Sequence, residues 1–311
     1  MTPQNICVLG GGGFVGSHLV PLLAARGHRV LVPTRRRERS KHLLVLPGVE
    51  LVEADIHDPS ALQALFTGMD AVINLVGILH ERKPGDFQRM HVELPRKVVA
   101  ARAAVGVPRL LHMSALGADP TSRSRYQQTK GAGEALVRQA QGATVFRPSV
   151  IFGPGDSFLT MFADLLKLAP IVPLAGAGAR FQPVFVGDVA RAFADALERQ
   201  ETIGQRYDLC GPSVYTLAEL VRLTAATSGL RRGVLPLGET ASYWFARLME
   251  LKPGAKIMTR DNYYAMQSDN VCRSGCTQPF GEATALESVI GYLKEADPRR
   301  SYMEFRSRAG R

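Results

Sequence analysis

The amino-acid sequence predicts an α/β protein: a doubly wound parallel sheet with a smaller C-terminal lobe. Three observations favour this fold class. Short apolar runs alternate with segments of helical apolar spacing from about residue 5 to residue 200. A glycine run, Gly10 to Gly13, joins the first apolar run to the first helical segment. Beyond residue 204 the alternation gives way to mostly helical segments.

Composition narrows the class of protein. The chain has 311 residues, of which 46% are hydrophobic, enough for a large core. Its net charge is +10, concentrated in basic clusters at 35–41 and 299–311, but no nucleic-acid-binding motif accompanies them. No apolar run reaches the length of a membrane span, and the first predicted strand begins too early for a preceding signal peptide. We therefore expect no nucleic-acid partner and no transmembrane segment.

The four cysteines indicate a reducing compartment. Cys272 and Cys276 lie close in sequence, but no His or further Cys cluster accompanies them, so a metal site is not expected. Reduced thiols and a cytoplasmic location are the expectation. A peripheral contact at the inner face of the membrane stays open.

The first strand, helix and intervening turn predict a nucleotide site. Residues 6–9 form an apolar run that fits a buried strand, and apolar residues recur at helical spacing over 14–25. Glycines between a strand and a helix N-terminus let a pyrophosphate approach unpaired N–H groups. The glycines fit two spacings, G-x-G-x-x-G from Gly11 and G-x-x-G-x-x-G from Gly10, and the sequence does not separate them. The expected cofactor contacts here are Gly10, Gly13, Phe14, Val15 and Gly16.

The second strand, predicted at 28–33, favours a phosphorylated cofactor. An NAD-preferring fold places a carboxylate near its end to bind the ribose hydroxyls. Here Arg35 and Arg36 follow, and no carboxylate occurs before Glu38. Because guanidinium groups suit a 2′-phosphate, NADP(H) is favoured over NAD(H). The alternative is a solvated basic loop.

The next two strands, predicted at 49–54 and 70–76, add contacts at the same sheet edge. Asp55 lies where it could meet an adenine amino group or cap the following turn. Asp58 is a plausible N-cap for a helix over 59–66. Val76 and Gly77 end the fourth strand, where the cofactor ribose is expected.

A Tyr/Lys pair follows the fifth strand, predicted at 108–113 after a helix over 87–104. Tyr126 and Lys130 lie four residues apart on a predicted helix over 126–140, so their side chains share one face. A nearby ammonium group should lower the pKa of the tyrosine and make it a general acid or base. The alternative is a surface tyrosine beside a solvated lysine.

The remaining elements complete the fold and its division. We predict strands at 143–147, 181–186 and 207–209, and helices at 158–168, 189–197, 217–228, 243–251 and 285–294, with Asp188 as an N-cap. The predicted nucleotide-binding domain comprises 1–150 and 181–203, and the smaller lobe 151–180 and 204–311. The aromatic stripe at 243–251 is expected to be core, or a docking face for a partner, a quinone or a membrane.

These motifs together resemble the extended or atypical short-chain dehydrogenases/reductases, which are NAD-dependent epimerase/dehydratase-like proteins with a Rossmann fold. The matching residues are Gly10, Gly13, Gly16, Asp55, the 74–77 and 147–153 segments, Ser114, Tyr126 and Lys130. The resemblance implies catalytic roles for Tyr126, Lys130 and Ser114. It also implies that Ile56, Lys130, Pro148 and Val150 contact the cofactor.

A narrower resemblance is to the nucleotide-binding accessory subunit of respiratory complex I and its bacterial relatives. It rests on the segments 124–134, 152–159, 182–189, 259–262 and 268–270. It implies tight NADPH binding and a role with respiratory or quinone-biosynthesis proteins. Three departures from the wider pattern occur: Met113-Ser114-Ala115 in place of paired hydroxyl residues, a short interval before Tyr126, and His91 where many relatives have Asn.

Four functions compete on this sequence. The first is a cofactor-binding accessory protein, and the second is an NADP-dependent oxidoreductase using Tyr126 and Lys130. A sugar-nucleotide epimerase or dehydratase is disfavoured by the short Ser114–Tyr126 interval. A redox-sensing transcription regulator is disfavoured by the intact Tyr/Lys pair.

Overall fold

The computed structural model describes residues 2–251, 258–273 and 279–294. Its main sheet has seven parallel strands in the order β3-β2-β1-β4-β5-β6-β11. The strands are β1 Asn5–Leu9, β2 Arg29–Thr34, β3 Val49–Glu53, β4 Ala71–Asn74, β5 Arg109–Met113, β6 Ala143–Pro148, β7 Ile151–Phe152, β8 Ile171–Leu174, β9 Arg180–Phe181, β10 Val184–Phe185, β11 Arg206–Leu209, β12 Tyr215–Thr216 and β13 Gly233–Pro236.

Helices cover both faces of the main sheet. They are α1 Phe14–Ala25, α2 Pro59–Phe66, α3 Asp86–Gln88, α4 Leu94–Ala104, α5 Arg125–Arg138, α6 Phe158–Leu168, α7 Val186–Glu198, α8 Leu217–Thr227, α9 Glu239–Leu251, α10 Arg260–Ala265 and α11 Leu286–Val289. A π-helical turn, Arg89–Glu93, joins α3 to α4, and a 3₁₀ helix, Arg37–Leu43, follows β2.

Two apolar layers hold the sheet between the helices. On one face α1 and α7 pack against β1, β2 and β6, with Leu19 and Phe193 fully buried. On the other face α2 and α4 pack against β1, β4 and β5, with Phe66 and Leu94 fully buried. The central strands are buried on both faces, which is why they appear in the sequence as continuous apolar runs. The predicted fold class is confirmed.

A separate apolar cluster forms the smaller lobe. It joins α6, α8 and the last described helices, and Leu159, Leu220 and Leu286 are buried in it. The residues 206–209, which the sequence analysis assigned to this lobe, instead form β11 at the edge of the main sheet. Their parallel hydrogen bonding to β6 places these residues in the main sheet. The sequence of a strand does not show which strand it pairs with.

Two local predictions are wrong. The predicted strand over 181–186 is two short strands, because β9 pairs with β12 whereas β10 pairs with β7. Asp188 is not an N-cap, because α7 begins at Val186 with Phe185 in the capping position. The Asp188 carboxylate instead accepts hydrogen bonds from the backbone and hydroxyl of Thr284 and from Arg191.

The expectation of reduced thiols is also wrong for two cysteines. Cys210, directly after β11, forms a disulfide with Cys272, whereas Cys7 is a buried free thiol in β1. Cys276, which lies close to Cys272 in the sequence, is outside the described residues. In the described part of the chain, no helix is long and apolar enough to cross a bilayer, and no group of His, Cys, Asp or Glu side chains could hold a metal.

The apolar stripe on α9 is only partly core. Ala246 is buried, but Trp244, Leu248 and Leu251 are 58%, 60% and 78% exposed. These three side chains follow helical spacing and therefore share one face. Arg247 lies over the Trp244 ring at 5.4 Å, which adds a positive charge to that face.

Candidate nucleotide-binding site

The glycine turn lies at the carboxyl edge of the sheet between β1 and β4, where the strand order reverses. Gly10 has a φ of +81°, a conformation that favours glycine. A Cβ on Gly16 would lie 2.4 Å from the carbonyl oxygen of Gly11, so only glycine lets α1 start this close to the turn. Gly13 is the N-cap residue of α1. The positive φ of Gly10 fits the G-x-x-G-x-x-G spacing, which starts at Gly10. Gly11 also has little room, because a Cβ there would lie 2.8 Å from a methyl carbon of Val32.

A cavity of about 520 Å³ opens in front of this turn. It runs from the glycines past the ends of β2 and β3 to the loop after β4. The lining residues are Gly10, Gly12, Gly13, Pro33, Thr34, Arg35, Arg36, Arg39, Ser40, Ala54, Asp55, Ile56, His57, Val76, Arg82 and Met90. Seven predicted cofactor contacts are among them: Gly10, Gly13, Arg35, Arg36, Asp55, Ile56 and Val76.

Positive charge surrounds this cavity. Three arginines come from the segment after β2, and Arg82 comes from the loop after β4. Within the described ranges none of the four guanidinium groups forms an ion pair, whereas Glu38 pairs with Lys41. Unpaired cations at the rim of a concave site attract an anionic ligand. Asp55 is the acidic side chain in the lining, and its Oδ1 accepts a hydrogen bond from the backbone N–H of His57 at 2.9 Å.

The loop that carries Arg82 is tightly held. The Asp86 carboxylate accepts hydrogen bonds from the backbone N–H groups of Arg82 and Lys83, at 3.1 and 2.9 Å. The Glu81 carboxylate accepts from the N–H groups of Gly85 and Phe87, both at 3.0 Å. Arg82 is therefore presented by an ordered turn.

The Tyr126/Lys130 pair lies on α5, as predicted. Lys130 is 4% exposed, and its Nζ donates a hydrogen bond to the carbonyl oxygen of Met113 at 2.7 Å. Gly77 is beside it: a Cβ built there would lie 3.9 Å from Lys130 Nζ and from His91 Nε2. The rings of Phe87 and His91 meet the Tyr126 ring edge-on at 5.9 and 5.5 Å. The structure thus brings Gly77 close to Lys130 and His91 after the end of β4, and the His91 ring in turn contacts Tyr126.

Burial, rather than the Lys130 ammonium group, has the largest effect on the pKa of Tyr126. Burial and the Asp261 carboxylate raise the pKa of Tyr126 to about 12, contrary to the expectation that Lys130 lowers it. Burial also lowers the pKa of Lys130 to about 8, opposed by Glu134. At neutral pH the pair therefore holds a protonated phenol, which can donate a proton but does not accept one.

Ser114 belongs to a buried polar cluster behind the pair. It is 3% exposed, and its hydroxyl donates to Glu134 at 2.6 Å. The Glu134 carboxylate also forms ion pairs with Arg147 and Arg206, both at 3.4 Å. The hydroxyl is thus engaged by a carboxylate, and the neighbouring Ala115 has no hydroxyl.

Comparison with known proteins agrees with this geometry. The model of the NAD dependent epimerase/dehydratase family matches residues 6–210, from β1 through β11. The chain belongs to the NAD dependent epimerase/dehydratase family. The match contains the glycine turn, the basic segment after β2 and the Tyr126/Lys130 pair. Nicotinamide-nucleotide binding is therefore the property that membership of this family indicates.

Two curated proteins and one solved structure are similar to this chain. A mitochondrial subunit of Rattus norvegicus, NADH dehydrogenase [ubiquinone] 1 alpha subcomplex subunit 9, is 31% identical over 82% of this chain and 69% of its own length. Ceramide reductase of Caulobacter vibrioides is 30% identical over 77% of this chain and 78% of its own. A nucleoside-diphosphate-sugar epimerase structure from Staphylococcus aureus is 18% identical, with a TM-score of 0.75 over 94% of this chain and all of that chain. The last supports the fold alone.

His91 is the residue that the sequence analysis noted as a departure from the pattern of the resemblance. It sits in the π-helical turn between α3 and α4, is 2% exposed and stacks on Phe87. Its Nε2 accepts the backbone N–H of Ile78 at 3.2 Å, so Nδ1 carries the proton and donates to Thr129 Oγ1 at 3.0 Å. His91 therefore ties the loop after β4 to the helix that carries Tyr126.

A strap, defined here as residues 258–273, crosses this edge of the sheet. At one end the Asp261 carboxylate binds the N-terminus of α5. At the other end Asn270 binds the Ser149 hydroxyl at 2.6 Å, the Val150 N–H at 3.2 Å and the Leu116 carbonyl at 3.1 Å. The disulfide from Cys272 fixes the same end to the segment after β11.

Several predicted cofactor contacts are not among the residues that line the cavity. Phe14, Val15 and Gly16 form the first turn of α1. Pro148 ends β6, where its carbonyl accepts the Leu116 N–H at 2.9 Å, and Val150 lies under the strap.

Sequence reasoning missed five polar lining residues: Thr34, Arg39, Ser40, His57 and Arg82. Arg39 and Ser40 belong to the 3₁₀ helix after β2. The basic cluster at 35–41 was a signal for Arg39, but nothing in the sequence marked Arg82.

Proposed function

We propose that this protein binds NADP(H) as a tightly held cofactor and acts as an accessory protein. The observation that carries the cofactor choice is the set of guanidinium groups at the cavity rim that have no ion-pair partner among the described residues. An adenosine 2′-phosphate is the part of NADP(H) that NAD(H) lacks, and Arg35, Arg36 and Arg39 follow the strand that meets the adenosine ribose in this fold. Charge-assisted bonds from planar guanidinium groups suit it.

The remaining phosphates have their own partners. The turn around Gly13, at the N-terminus of α1, would hold the pyrophosphate through backbone N–H groups. Lys130 and Gly77 would lie along the nicotinamide ribose at the end of β4. When bound, the cofactor would supply a transferable hydride at this end.

The accessory role has two supports. The rat relative bears the name of a subunit of a ubiquinone-linked NADH dehydrogenase. The exposed face of α9, formed by Trp244, Leu248 and Leu251, offers an apolar surface of the kind that marks interaction sites. A respiratory or quinone-biosynthesis protein is the partner class we propose, with the protein on the cytoplasmic side of the membrane that carries it.

Calorimetry with paired variants tests the cofactor assignment. In Arg35→Ala, a lost charge-assisted bond should weaken NADP(H) binding about tenfold or more and leave NAD(H) binding within about twofold. Arg29→Ala removes an exposed arginine at the opposite end of β2 and should change neither. Equal losses for both cofactors in Arg35→Ala would contradict a 2′-phosphate contact.

A second candidate is an NADP-dependent carbonyl reductase. Its support is the protonated Tyr126 phenol beside Lys130, which suits proton donation to a carbonyl oxygen. The name of the Caulobacter relative, ceramide reductase, agrees with reduction. In this reaction Lys130 would hold the ribose, and the Ser114 hydroxyl, engaged by Glu134, would take no direct part.

Turnover separates the two candidates. Bound NADPH would be challenged with a panel of ketones, long-chain ketones and quinones while its absorbance is followed. Oxidation by a carbonyl compound that Tyr126→Phe lowers by a hundredfold or more, on the order expected for a lost general acid, would establish the reductase. Tight NADPH binding without Tyr126-dependent oxidation favours the accessory role.

A further inference from the structure

The helix that carries Tyr126 is capped by a residue from the other end of the chain. Asp261 Oδ1 accepts the backbone N–H of Arg125 at 2.5 Å. Its Oδ2 accepts the N–H of Tyr126 at 3.2 Å and the hydroxyl of Ser124 at 3.0 Å. Ser124 in turn accepts the N–H of Gln127. Together the two residues satisfy the first-turn N–H groups that a helix cannot bond internally.

Asp261 is itself held in a fixed position. Thr259 and Asn262 form a reciprocal capping box at the start of α10. Arg260 donates to the Glu250 carboxylate from its backbone N–H at 2.7 Å and from its side chain at 2.8 Å. The Thr259–Asn262 motif thus has a physical role: it presents one carboxylate to α5. A carboxylate at a helix N-terminus is also stabilised by the helix dipole.

The carboxylate acts directly on Tyr126. It binds the backbone N–H of that residue, while the rings of Phe87 and His91 confine the side chain. Other charged or titratable groups also lie around this point. Burial lowers the pKa of His80 and Asp261 raises it, Lys130 lies on the same helix as Tyr126, and Arg125 pairs with Glu81 at 3.4 Å. Asp261 is therefore placed to set both the backbone position and the electrostatic surroundings of the phenol.

We propose that Asp261 is a positioning residue for Tyr126: its carboxylate fixes the first turn of α5 and so holds the phenol ring against Phe87 and His91. The inference rests on the proposed function and deepens it, since it says what holds the proposed proton donor in place. It assigns Asp261 no contact with substrate or cofactor. A residue that only stabilised the strap would leave the reactivity of the phenol unchanged.

The test compares Asp261→Asn with Asp269→Asn in the full chain without nucleotide. Asp269 lies on the same strap and pairs with Arg180 at 3.6 Å, with both side chains about half exposed. Tetranitromethane nitrates phenolate, so the rate of Tyr126 nitration at pH 8, read by peptide mass spectrometry, reports the ionisation of the phenol and its access to the reagent. Amide hydrogen exchange at Arg125 and Tyr126 reports the first turn of α5.

In Asp261→Asn we expect Tyr126 nitration to rise several-fold and exchange at Tyr126 to rise about tenfold, the size of a lost charge-assisted bond. Asp269→Asn should match the wild type in both. Unchanged nitration in Asp261→Asn, or equal changes in both variants, would overturn the inference.

Asp261→Glu covers the case in which the asparagine variant does not fold. It keeps the charge, so Tyr126 nitration should stay near the wild-type rate, and a several-fold rise would overturn the inference. None of these readouts needs a bound nucleotide. A protein that passes them but binds no NADP(H) would contradict the proposed function and leave the role of Asp261 standing.

Discussion

A buried neutral imidazole, His91, links the loop after β4 to the Tyr126 helix. Burial and the nearby Lys130 charge lower the pKa of His91 to about 3, from an ordinary value of 6.5. An unfolded chain therefore binds a proton at this residue between pH 6.5 and 3, whereas the folded chain does not. The resulting stability is present above pH 6.5 and is lost as the pH falls.

The prediction at this residue concerns His91→Asn. Between pH 7 and pH 4 the wild type should lose about 3 kcal/mol of unfolding free energy through His91, a loss that the non-titrating asparagine avoids. Urea unfolding at the two pH values measures it. Equal losses in both proteins would show that His91 is not buried as a neutral group.

A second residue-scale prediction concerns the glycine turn. Gly16→Ala would place a Cβ 2.4 Å from the Gly11 carbonyl oxygen, so α1 must shift away from the turn. We expect a loss of about 2 kcal/mol in unfolding free energy, and weaker nucleotide binding. Gly178→Ala meets no atom within 4 Å and serves as the control. A Gly16→Ala protein as stable as this control would contradict the close approach.

At the scale of single elements, helices with clear local signals could be predicted from the sequence. The helix over 59–66 has its predicted bounds, and the Asp58 side chain accepts the Ser60 N–H as its cap. The predicted helix over 87–104 also exists, but the sequence did not show its π-helical turn at Arg89–Glu93. Such turns arise from packing, and here a Cβ on Gly133 would overlap the His91 carbonyl oxygen.

The strap could not be predicted, because its bonds join distant parts of the chain. Its motifs were visible at 259–262 and 268–270, but their partners lie more than a hundred residues earlier. Local patterns report helix and strand tendency and contain no information about such pairings. The Cys210–Cys272 disulfide was missed for the same reason.

Reduction of this disulfide is the prediction at the element scale. A dithiol reductant would convert Cys210–Cys272 to two thiols and become a cyclic disulfide itself. Because a covalent anchor is lost, amide exchange over 258–273 should rise while exchange in β1 stays constant. Cys272→Ser should behave as the reduced protein without any reductant. A strap with equal protection in all three states would show that its hydrogen bonds alone hold it.

For the whole molecule, the sequence predicted the cavity residues that directly follow strands better than those that loops bring to the cavity. Lining residues directly after strands, such as Arg35, Asp55 and Val76, were identified because parallel strands end at one edge. Arg82 was missed because a loop, whose course depends on Glu81 and Asp86, brings it to the cavity. The protonation of Tyr126 was mispredicted because burial outweighs a neighbouring charge that spacing alone suggested.

Part of the excess positive charge of the molecule is concentrated at the cavity. The net charge is +10, and part of it lines the cavity at the glycine turn as four arginines that form no ion pair with any described residue. A ligand with an added phosphate should therefore bind this site more tightly than one without it.

The measurement that tests this difference in affinity most directly is isothermal calorimetry of nucleotide-free protein with NADPH and with NADH. We predict that NADPH binds at least about tenfold more tightly, the effect of one charge-assisted phosphate contact. Equal affinities, or no heat with either nucleotide, would contradict the account.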